Sequence, residues 1–416
     1  MKISKFAQSI LTLTTGTSIA QAIPILISPI LTRIYSPDDF GLFALYMSVV
    51  SLLAMIISGR YELAIMLPKK DIDAIQLLLL SMYINIILTI ITFLAVIFFS
   101  SEIAKLLGNN QIKYWLYLVP FSLFILGTFQ ILNYWYLRSE NYKLVSKNKI
   151  IQSSSSASSN LSIGIFFKGI NGLIISNLFS QLIATLLLIK FFFNINGNIF
   201  RKTNWLKIAA LSKIYKKMPL LNMPNAFVDA LRISGINILI SKFFSTSLLG
   251  SYSLALRIVQ LPMNVIGTSI SQVVYKEMAT CGKHELFNLC ASTIKKCFLI
   301  GIIPFLGLYF LSPFIFSIVF GEDWRISGVI VQILAPWLFV NFIASPISTF
   351  FLVINKQEVM LAISFVYMLV PLAILYIFKT SDFLYVLNLL SISLACISAT
   401  FILLVILYSN KLKIHE

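Results

Sequence analysis

Residues 31–41 read LTRIYSPDDFG, and half a chain later residues 240–250 read ISKFFSTSLLG. Aligning Gly41 with Gly250 sets an offset of 209 residues, close to half of the 416-residue chain. One loop written twice at this spacing indicates an internal duplication.

A second pair of short motifs follows the first in the same order. LLG (106–108) precedes LVP (118–120), and VFG (319–321) precedes LAP (334–336). Each of the two motif pairs leads into the fourth apolar stretch of its half of the chain. Two repeated motifs at equivalent places favour duplication over chance similarity in a sequence rich in Leu, Ile and Phe.

The composition excludes a soluble protein. Hydrophobic residues make up 58% of the chain and charged residues only 11%, which is too little charge to cover so much apolar surface in water. Apolar runs of about 20 residues, each long enough to cross a hydrocarbon core of about 30 Å, recur along the whole chain. The sequence therefore predicts an all-α integral membrane protein with about twelve spans, at 7–31, 40–59, 75–99, 113–136, 150–167, 171–193, 219–241, 248–272, 289–311, 327–353, 359–378 and 383–408.

Two lobes follow from these spans. We predict an N-terminal six-helix lobe at 1–193, a basic cytoplasmic linker at 194–218 and a C-terminal six-helix lobe at 219–416. Because six spans is an even number, both lobes begin on the same side of the membrane, and the repeat is parallel. In transporters, two such bundles rock against each other around a central cavity. A structural duplication without transport is the alternative.

The basic residues predict the orientation. In a soluble protein, a net charge of +17 would suggest a nucleic-acid partner. Here the distribution of the basic residues along the chain indicates membrane topology instead. With both termini in the cytoplasm, 20 of the 32 Lys and Arg lie in cytoplasmic segments, 6 in external loops and 6 within the predicted spans, an asymmetry that the positive-inside rule predicts. We therefore expect a multi-pass membrane protein with both termini in the cytoplasm, no nucleic-acid partner, and contact of residues 201–217 with membrane lipids.

The fifth span is the least regular one. QSSSSASSN (152–160) forms its first half, and such a run could be a flexible linker. LSIGIFF follows at once, so a Ser-rich helix against a polar interior or a close-packed neighbour fits better.

Charged residues inside spans are the first candidates for binding, because each costs roughly 2.5–3.5 kcal/mol on insertion scales. Asp229 and Arg232 lie in the seventh span and Arg257 in the eighth. Both arginines are predicted roughly 12–15 Å below the external face. Two guanidinium groups at similar depth would suit a dianionic phosphate group. Alternatively, Asp229 and Arg232, three residues apart, form an internal salt bridge.

Charges near span ends are weaker candidates. Arg33 and its repeat equivalent Lys242 lie at external helix ends, where long side chains reach water easily. Arg60 and Glu62, in GRYELAIMLPKKD (59–71), lie at the cytoplasmic end of the second span. They either line the mouth of the cavity or simply pair with each other.

Enzymatic chemistry has little support in the sequence. It contains no Gly-rich phosphate loop, Walker lysine or metal-ligand cluster. The longest soluble segment, at about 194–218, is too short for an ATPase or glycosyltransferase domain. We therefore expect no catalytic residue, no metal and no resident cofactor.

Four stretches resemble the Wzx-type flippases, the O-antigen and polysaccharide transporters within the multidrug/oligosaccharidyl-lipid/polysaccharide exporter superfamily. They are ILTRIYSPDDFGLFAL (30–45), GRYELAIMLPKK (59–70), FGEDWRISG (320–328) and LAPWLFVNFIASPISTFFLVINKQ (334–357). The resemblance implies two six-helix lobes around a cationic cavity, in a bacterial plasma (inner) membrane. It implies a lipid-linked oligosaccharide, carried on polyprenyl diphosphate, as the cargo moved from the inner to the outer leaflet. It also suggests polysaccharide polymerase and chain-length machinery as partners.

Within that resemblance, the diphosphate-binding candidates are Arg257, Arg232, Arg33 and Arg60. Asp229 would gate Arg232 and could carry a coupling ion, H⁺ or Na⁺; Glu62 is the second gating candidate. A drug or metabolite antiporter of the same superfamily is one alternative, although two Arg against one Asp in the interior is the wrong sign for cationic drugs. A membrane polysaccharide polymerase is another, but its chemistry usually needs a longer external loop than 312–326.

Overall fold

The computed structural model describes residues 5–167, 169–200, 204–282, 285–354 and 356–414, and this part of the chain is helical and without strands. The helices are α1 (Lys5–Ile34), α2 (Pro37–Ala54), α3 (Tyr61–Ala64), α4 (Asp71–Leu107), α5 (Lys113–Leu116), α6 (Val119–Arg138), α7 (Tyr142–Phe166), α8 (Ile170–Phe200), α9 (Trp205–Ile214), α10 (Met223–Phe243), α11 (Thr246–Thr280), α12 (Leu286–Phe320), α13 (Arg325–Ala344), α14 (Phe350–Val353), α15 (Gln357–Ile377) and α16 (Phe383–Ile414).

Eight helical segments of the described chain are long and apolar enough to cross a membrane. They are Thr12–Ile34, Pro37–Ala54, Asp71–Leu107, Ile170–Asn194, Leu286–Phe320, Glu322–Val353, Gln357–Ile377 and Phe383–Lys411. Asn110–Leu116 and Val119–Arg138, bent by 52° at the break between them, form a ninth if the pair is one span. These segments confirm the predicted all-α membrane class.

The three remaining predicted spans, at 150–167, 219–241 and 248–272, coincide with α7, α10 and α11. These helices are more polar, since α7 is rich in serine and the other two contain the interior charges. The total of twelve spans stays a prediction.

The long helix α4 shows the character of a lipid-exposed span. Phe98 is 71% exposed and Ile87 is 55% exposed, an arrangement that a hydrocarbon solvent favours and that water would penalise. The predicted-external end of α4 stops at Gly108, whose left-handed backbone (φ 75°) closes the helix.

The chain forms two compact units, Met1–Gly250 and Ser251–Glu416. In the first unit, α7 packs between α1 and α8, α6 packs against α4 and α8, and α10 packs against α2. In the second unit, α13 packs between α12 and α16, and α15 packs against α16. The lobe and linker boundaries predicted from the sequence stay a prediction.

The Ser-rich segment is a continuous part of α7, so the helical interpretation is correct. The Ser153 hydroxyl donates to the Ala20 carbonyl oxygen (2.6 Å), and the Ser146 hydroxyl donates to the Thr12 carbonyl oxygen (2.8 Å). A Cβ at Gly16 would lie 2.5 Å from the Ser146 Cβ. Small side chains thus let α7 approach α1 closely and exchange hydrogen bonds with its backbone.

The two repeated loops share a serine that caps the helix that follows. Ser36 caps α2 by accepting a hydrogen bond from the Asp39 N–H (3.2 Å), and the Asp39 carboxylate accepts one from the Ser36 N–H (3.0 Å), which completes a capping box. The repeat equivalent of Ser36, Ser245, accepts a hydrogen bond from the Leu248 N–H (3.0 Å) at the start of α11. The sequence duplication is therefore also a structural one at these positions.

Candidate functional site

A break between α2 and α4 builds the best-defined polar site of the first unit. Gly59 and Arg60 both have φ near +60°, in the left-handed region. Glycine adopts this conformation freely, but for arginine it is strained and costs of order 1–3 kcal/mol. The turn leads at once into the short helix α3, which begins at Tyr61. Such strain often lies at functional positions.

Glu62, on α3, is the most buried charged side chain among those that the structure describes, with 2% of its surface exposed. The Ser58 hydroxyl donates a hydrogen bond to one carboxylate oxygen. The Arg60 guanidinium lies 3.7 Å from the other oxygen. A buried carboxylate needs such partners because removal from water disfavours the charged form.

Arg60 retains hydrogen-bonding capacity beyond this pair. Its Nη2 donates to the thioether sulfur of Met55 (3.0 Å), which is a weak acceptor. Its Nε is buried and has no hydrogen-bond partner among the described residues. Tyr134 on α6 is close enough to interact electrostatically with both Arg60 and Glu62. The Arg60 side chain is 20% exposed, and through this exposed part its guanidinium can bind a further anionic group.

Neighbouring contacts hold this end of the unit in place. Arg138, at the end of α6, pairs with Asp71 at 3.0 Å and donates to the Ile65 carbonyl oxygen at 3.2 Å. Tyr61 lies between Arg60 and Glu62 in sequence, and its hydroxyl donates to the Ser212 carbonyl oxygen of α9 (3.1 Å). The segment that follows the strained turn is therefore attached both to α6 and to helix α9.

The seventh-span candidates lie on α10. This helix follows a π-helical turn, Met218–Asn222, a departure from regular α-helix that is frequent at functional sites. Asp229 is exposed on α10, and Arg232, one turn later, is half-buried.

Arg33 and Arg257 lie in different units. Arg33 is exposed in the last turn of α1, in the first unit. Arg257 is half-buried on α11, within the second unit. The structure thus joins Arg60 and Glu62, as one of the two sequence interpretations expected. Substrate contact by any of the four arginines, and the pairing of Arg232 with Arg257 around one ligand, stay predictions.

Sequence reasoning missed Ser58 and Tyr61 as parts of the site. Ser58 gave no signal, because it reaches Glu62 across the left-handed turn at Gly59 and Arg60 and not along a regular helix. Tyr61 gave no signal, because its partner is a backbone carbonyl oxygen 151 positions away.

Comparison with known protein families assigns the chain to one family. The family described as "Polysaccharide biosynthesis protein" matches residues 30–328, more than half of the chain. The chain belongs to this family. The match confirms the family assignment that the motifs at 30–45 and 59–70 predicted.

Two curated proteins are similar to this member of the polysaccharide biosynthesis family. An uncharacterized membrane protein in the cps region of Klebsiella pneumoniae is 21% identical over 83% of this chain and 71% of its own length. The succinoglycan biosynthesis transport protein ExoT of Rhizobium meliloti (strain 1021) is 23% identical over 77% of this chain and 63% of its own length. The matched region thus spans somewhat less than two thirds of ExoT.

Solved structures share the fold of this family member at low sequence identity. The lipid II flippase MurJ, in an inward closed conformation, aligns with a TM-score of 0.74 and 14% identity, over 97% of this chain and 90% of MurJ. An inward-facing multidrug resistance transporter of the MATE family aligns with a TM-score of 0.69 and 14% identity, over 95% of this chain and 94% of the transporter. Together with the helical spans, this likeness over nearly the whole chain confirms the fold class.

Proposed function

We propose that this chain is a flippase that moves a polyprenyl-diphosphate-linked oligosaccharide, an O-antigen or related repeat unit, from the inner to the outer leaflet by alternating access. It would act in the bacterial plasma membrane, with both termini in the cytoplasm. Membership of the polysaccharide biosynthesis family carries the proposal, because that membership joins a sugar-polymer pathway to a chain of membrane-spanning helices. The MurJ-like fold supports the same class of cargo.

In this mechanism the arginines hold the diphosphate. Arg257 and Arg232 are the principal ligands, since a guanidinium fork matches phosphate oxygens in a way that no neutral side chain does. Arg60 binds at the predicted cytoplasmic mouth, through the exposed part of its half-buried side chain. Arg33 acts at the opposite end, in the last turn of α1.

The acidic residues release the cargo. Asp229 competes with the diphosphate for Arg232, and Glu62 competes for Arg60, from which it is 3.7 Å away. A coupling ion, H⁺ or Na⁺, would bind Asp229 and weaken its attraction for Arg232. A polysaccharide polymerase and chain-length machinery would receive the cargo on the outer face.

Disruption of the gene in its host tests the cargo. The proposal expects a lipid-linked glycan of one repeat unit to accumulate on the cytoplasmic leaflet, inaccessible to a glycan-oxidising reagent added outside. Re-expression of the chain should restore access, and Arg257→Ala and Arg257→Lys should not. Accumulation of the same glycan on the outer leaflet would contradict the proposal and indicate a polymerase.

A drug or metabolite antiporter is the second candidate, favoured by the likeness to the MATE fold. The two candidates differ in charge preference. A cationic drug needs an acidic site, whereas two arginines and one aspartate line the predicted spans. Drug resistance that follows expression of the chain, without any change in glycan accumulation, would favour this candidate.

A further inference from the structure

Helix α9, Trp205–Ile214, carries an apolar face with no protein partner in the described chain. One side is packed: Ile208 is 4% exposed, Leu211 joins the core around Tyr61, and the Trp205 ring meets the Tyr83 ring edge-on at 5.5 Å. On the opposite side, Leu206 is 76% exposed and Ile214 is 68% exposed.

The spacing of the exposed residues makes this side a stripe. Leu206, Ala210 and Ile214 are four residues apart and therefore lie on one line along the helix. At 100° per residue, Lys207 falls on one flank of this line and Lys213 on the other, and both are exposed.

Further positive charge continues the pattern past the helix. Lys216 and Lys217 follow α9 and are also exposed. An apolar stripe with lysines along both edges is the pattern of a helix that lies in a membrane interface, where the stripe enters the acyl boundary and the lysines reach anionic headgroups.

The position of α9 fits a bilayer better than a soluble partner. The membrane-spanning segment Ile170–Asn194 precedes it, and α10, which coincides with the predicted seventh span, follows it. Its packed side rests on α4, itself a membrane span, and Trp205, which is 63% exposed, has the amphipathic ring typical of the membrane–water boundary. The helix is thus fixed beside the bilayer with its apolar stripe uncovered.

We propose that α9 is an interfacial helix that binds the anionic phospholipid headgroups of the leaflet next to it. Leu206, Ala210 and Ile214 enter the acyl boundary, and Lys207, Lys213, Lys216 and Lys217 select headgroups with negative charge. This inference depends on the membrane spans and on α9 alone, and it holds whatever cargo the chain moves.

Tryptophan quenching by brominated lipid tests the inference on the full chain. The protein is reconstituted in mixed phosphatidylcholine and phosphatidylglycerol vesicles of constant composition, in which either lipid carries the bromine at equal mole fraction. The contribution of Trp205 is the difference between the chain and its Trp205→Phe variant. We expect this contribution to be quenched at least about twofold more by brominated phosphatidylglycerol.

Two variants with four substitutions each distinguish an effect of the α9 lysines from an effect of the protein's net charge. Replacing Lys207, Lys213, Lys216 and Lys217 by Gln should bring quenching by the two lipids to equality. The matched control replaces Lys69, Lys70, Lys143 and Lys147, which are exposed and predicted to be on the same side of the membrane, and it should keep the preference. Equal quenching in the unaltered chain would overturn the inference and leave the stripe to a protein partner. Loss of the preference in both variants would also overturn it, since net charge alone would then explain the effect.

Discussion

Gly41 on α2 and Gly250 on α11 make the same contact in reciprocal directions. A Cβ at Gly41 would collide with the carbonyl oxygen of Thr246, and a Cβ at Gly250 would collide with the carbonyl oxygen of Pro37. The 209-residue offset that aligns the two glycines also aligns Pro37 with Thr246. The first turns of two equivalent helices therefore lie directly against each other, at a distance that only glycine permits.

The first prediction concerns this contact. Gly41→Ala and Gly250→Ala should each lower stability by about 1–3 kcal/mol, the usual cost of overpacking, because a backbone carbonyl cannot move aside as a side chain can. Thermal unfolding of the detergent-solubilised protein would measure the loss. Gly307→Ala is the matched control, since a Cβ there has no neighbour within 4 Å. Unchanged melting in both test variants would show that the first turns of α2 and α11 are not in contact.

The second prediction concerns Tyr35, in the loop between α1 and α2. Its ring is 1% exposed, and its hydroxyl donates to the Asn160 carbonyl oxygen at 2.8 Å. Neither Gly164 nor Gly172 has room for a Cβ beside that hydroxyl. Tyr35→Phe removes the donor and should lower stability by about 1 kcal/mol near neutral pH. Tyr114→Phe, at a position 77% exposed, should have no effect.

The pH dependence of the same variant gives a sharper test. Burial, reinforced by the Asp39 carboxylate, raises the pKa of Tyr35 from 10.0 to about 12. Because the neutral phenol is favoured in the folded state, its contribution is complete below pH 10 and is lost as the pH rises through about 12. The stability difference between the parent and Tyr35→Phe should therefore shrink over that interval. A difference independent of pH would show that Tyr35 is not buried as a neutral donor.

The third prediction separates folding from binding at Arg60. Arg60→Gly removes the guanidinium but suits the left-handed backbone, whose strain in arginine costs of order 1–3 kcal/mol. The Arg60→Gly variant should therefore be at least as stable as Arg60→Ala, and both variants should lose transport activity to the same extent. Thermal unfolding and the glycan-accessibility assay, applied to both variants, check the two parts. Full activity of Arg60→Gly would remove the side chain from the mechanism.

The fourth prediction concerns Glu62. Glu62→Gln keeps an acceptor for the Ser58 hydroxyl but abolishes the charge that faces Arg60. Glu62→Ala removes both, and it should cost about 1–3 kcal/mol because buried donors are left without a partner. If Glu62 releases cargo from Arg60, the glutamine variant should fold normally yet move substrate more slowly. Equal activity of the parent and Glu62→Gln would assign Glu62 a structural role alone.

Hydropathy and the internal repeat were enough to predict much of this fold. Runs of about 20 apolar residues located the helices, and the recurrence of LTRIYSPDDFG as ISKFFSTSLLG predicted a repeated loop. In the structure, Ser36 and Ser245 each cap a helix through a local hydrogen bond. The serine run in α7 could be assigned to a helix because the apolar sequence continued directly after it.

The contact between the two repeats and the candidate site were less accessible to sequence reasoning. The sequence shows that Gly41 and Gly250 are equivalent, but it does not show that they lie close together, because a repeat does not indicate which of its parts are in contact. The burial of Glu62 depends on how α2, α3 and α6 pack, which composition does not encode. The left-handed backbone of Arg60 was equally hidden, because arginine at such a position contradicts local preference.

A transbilayer assay in proteoliposomes tests the central claim most directly. The purified chain is reconstituted with a radiolabelled polyprenyl-diphosphate oligosaccharide, and exposure of the glycan on the opposite leaflet and its length are followed together. The account predicts that the chain relocates the glycan at unchanged length, and that Arg257→Ala and Arg257→Lys both slow this relocation. Lengthening of the glycan, or no relocation above protein-free vesicles, would contradict it.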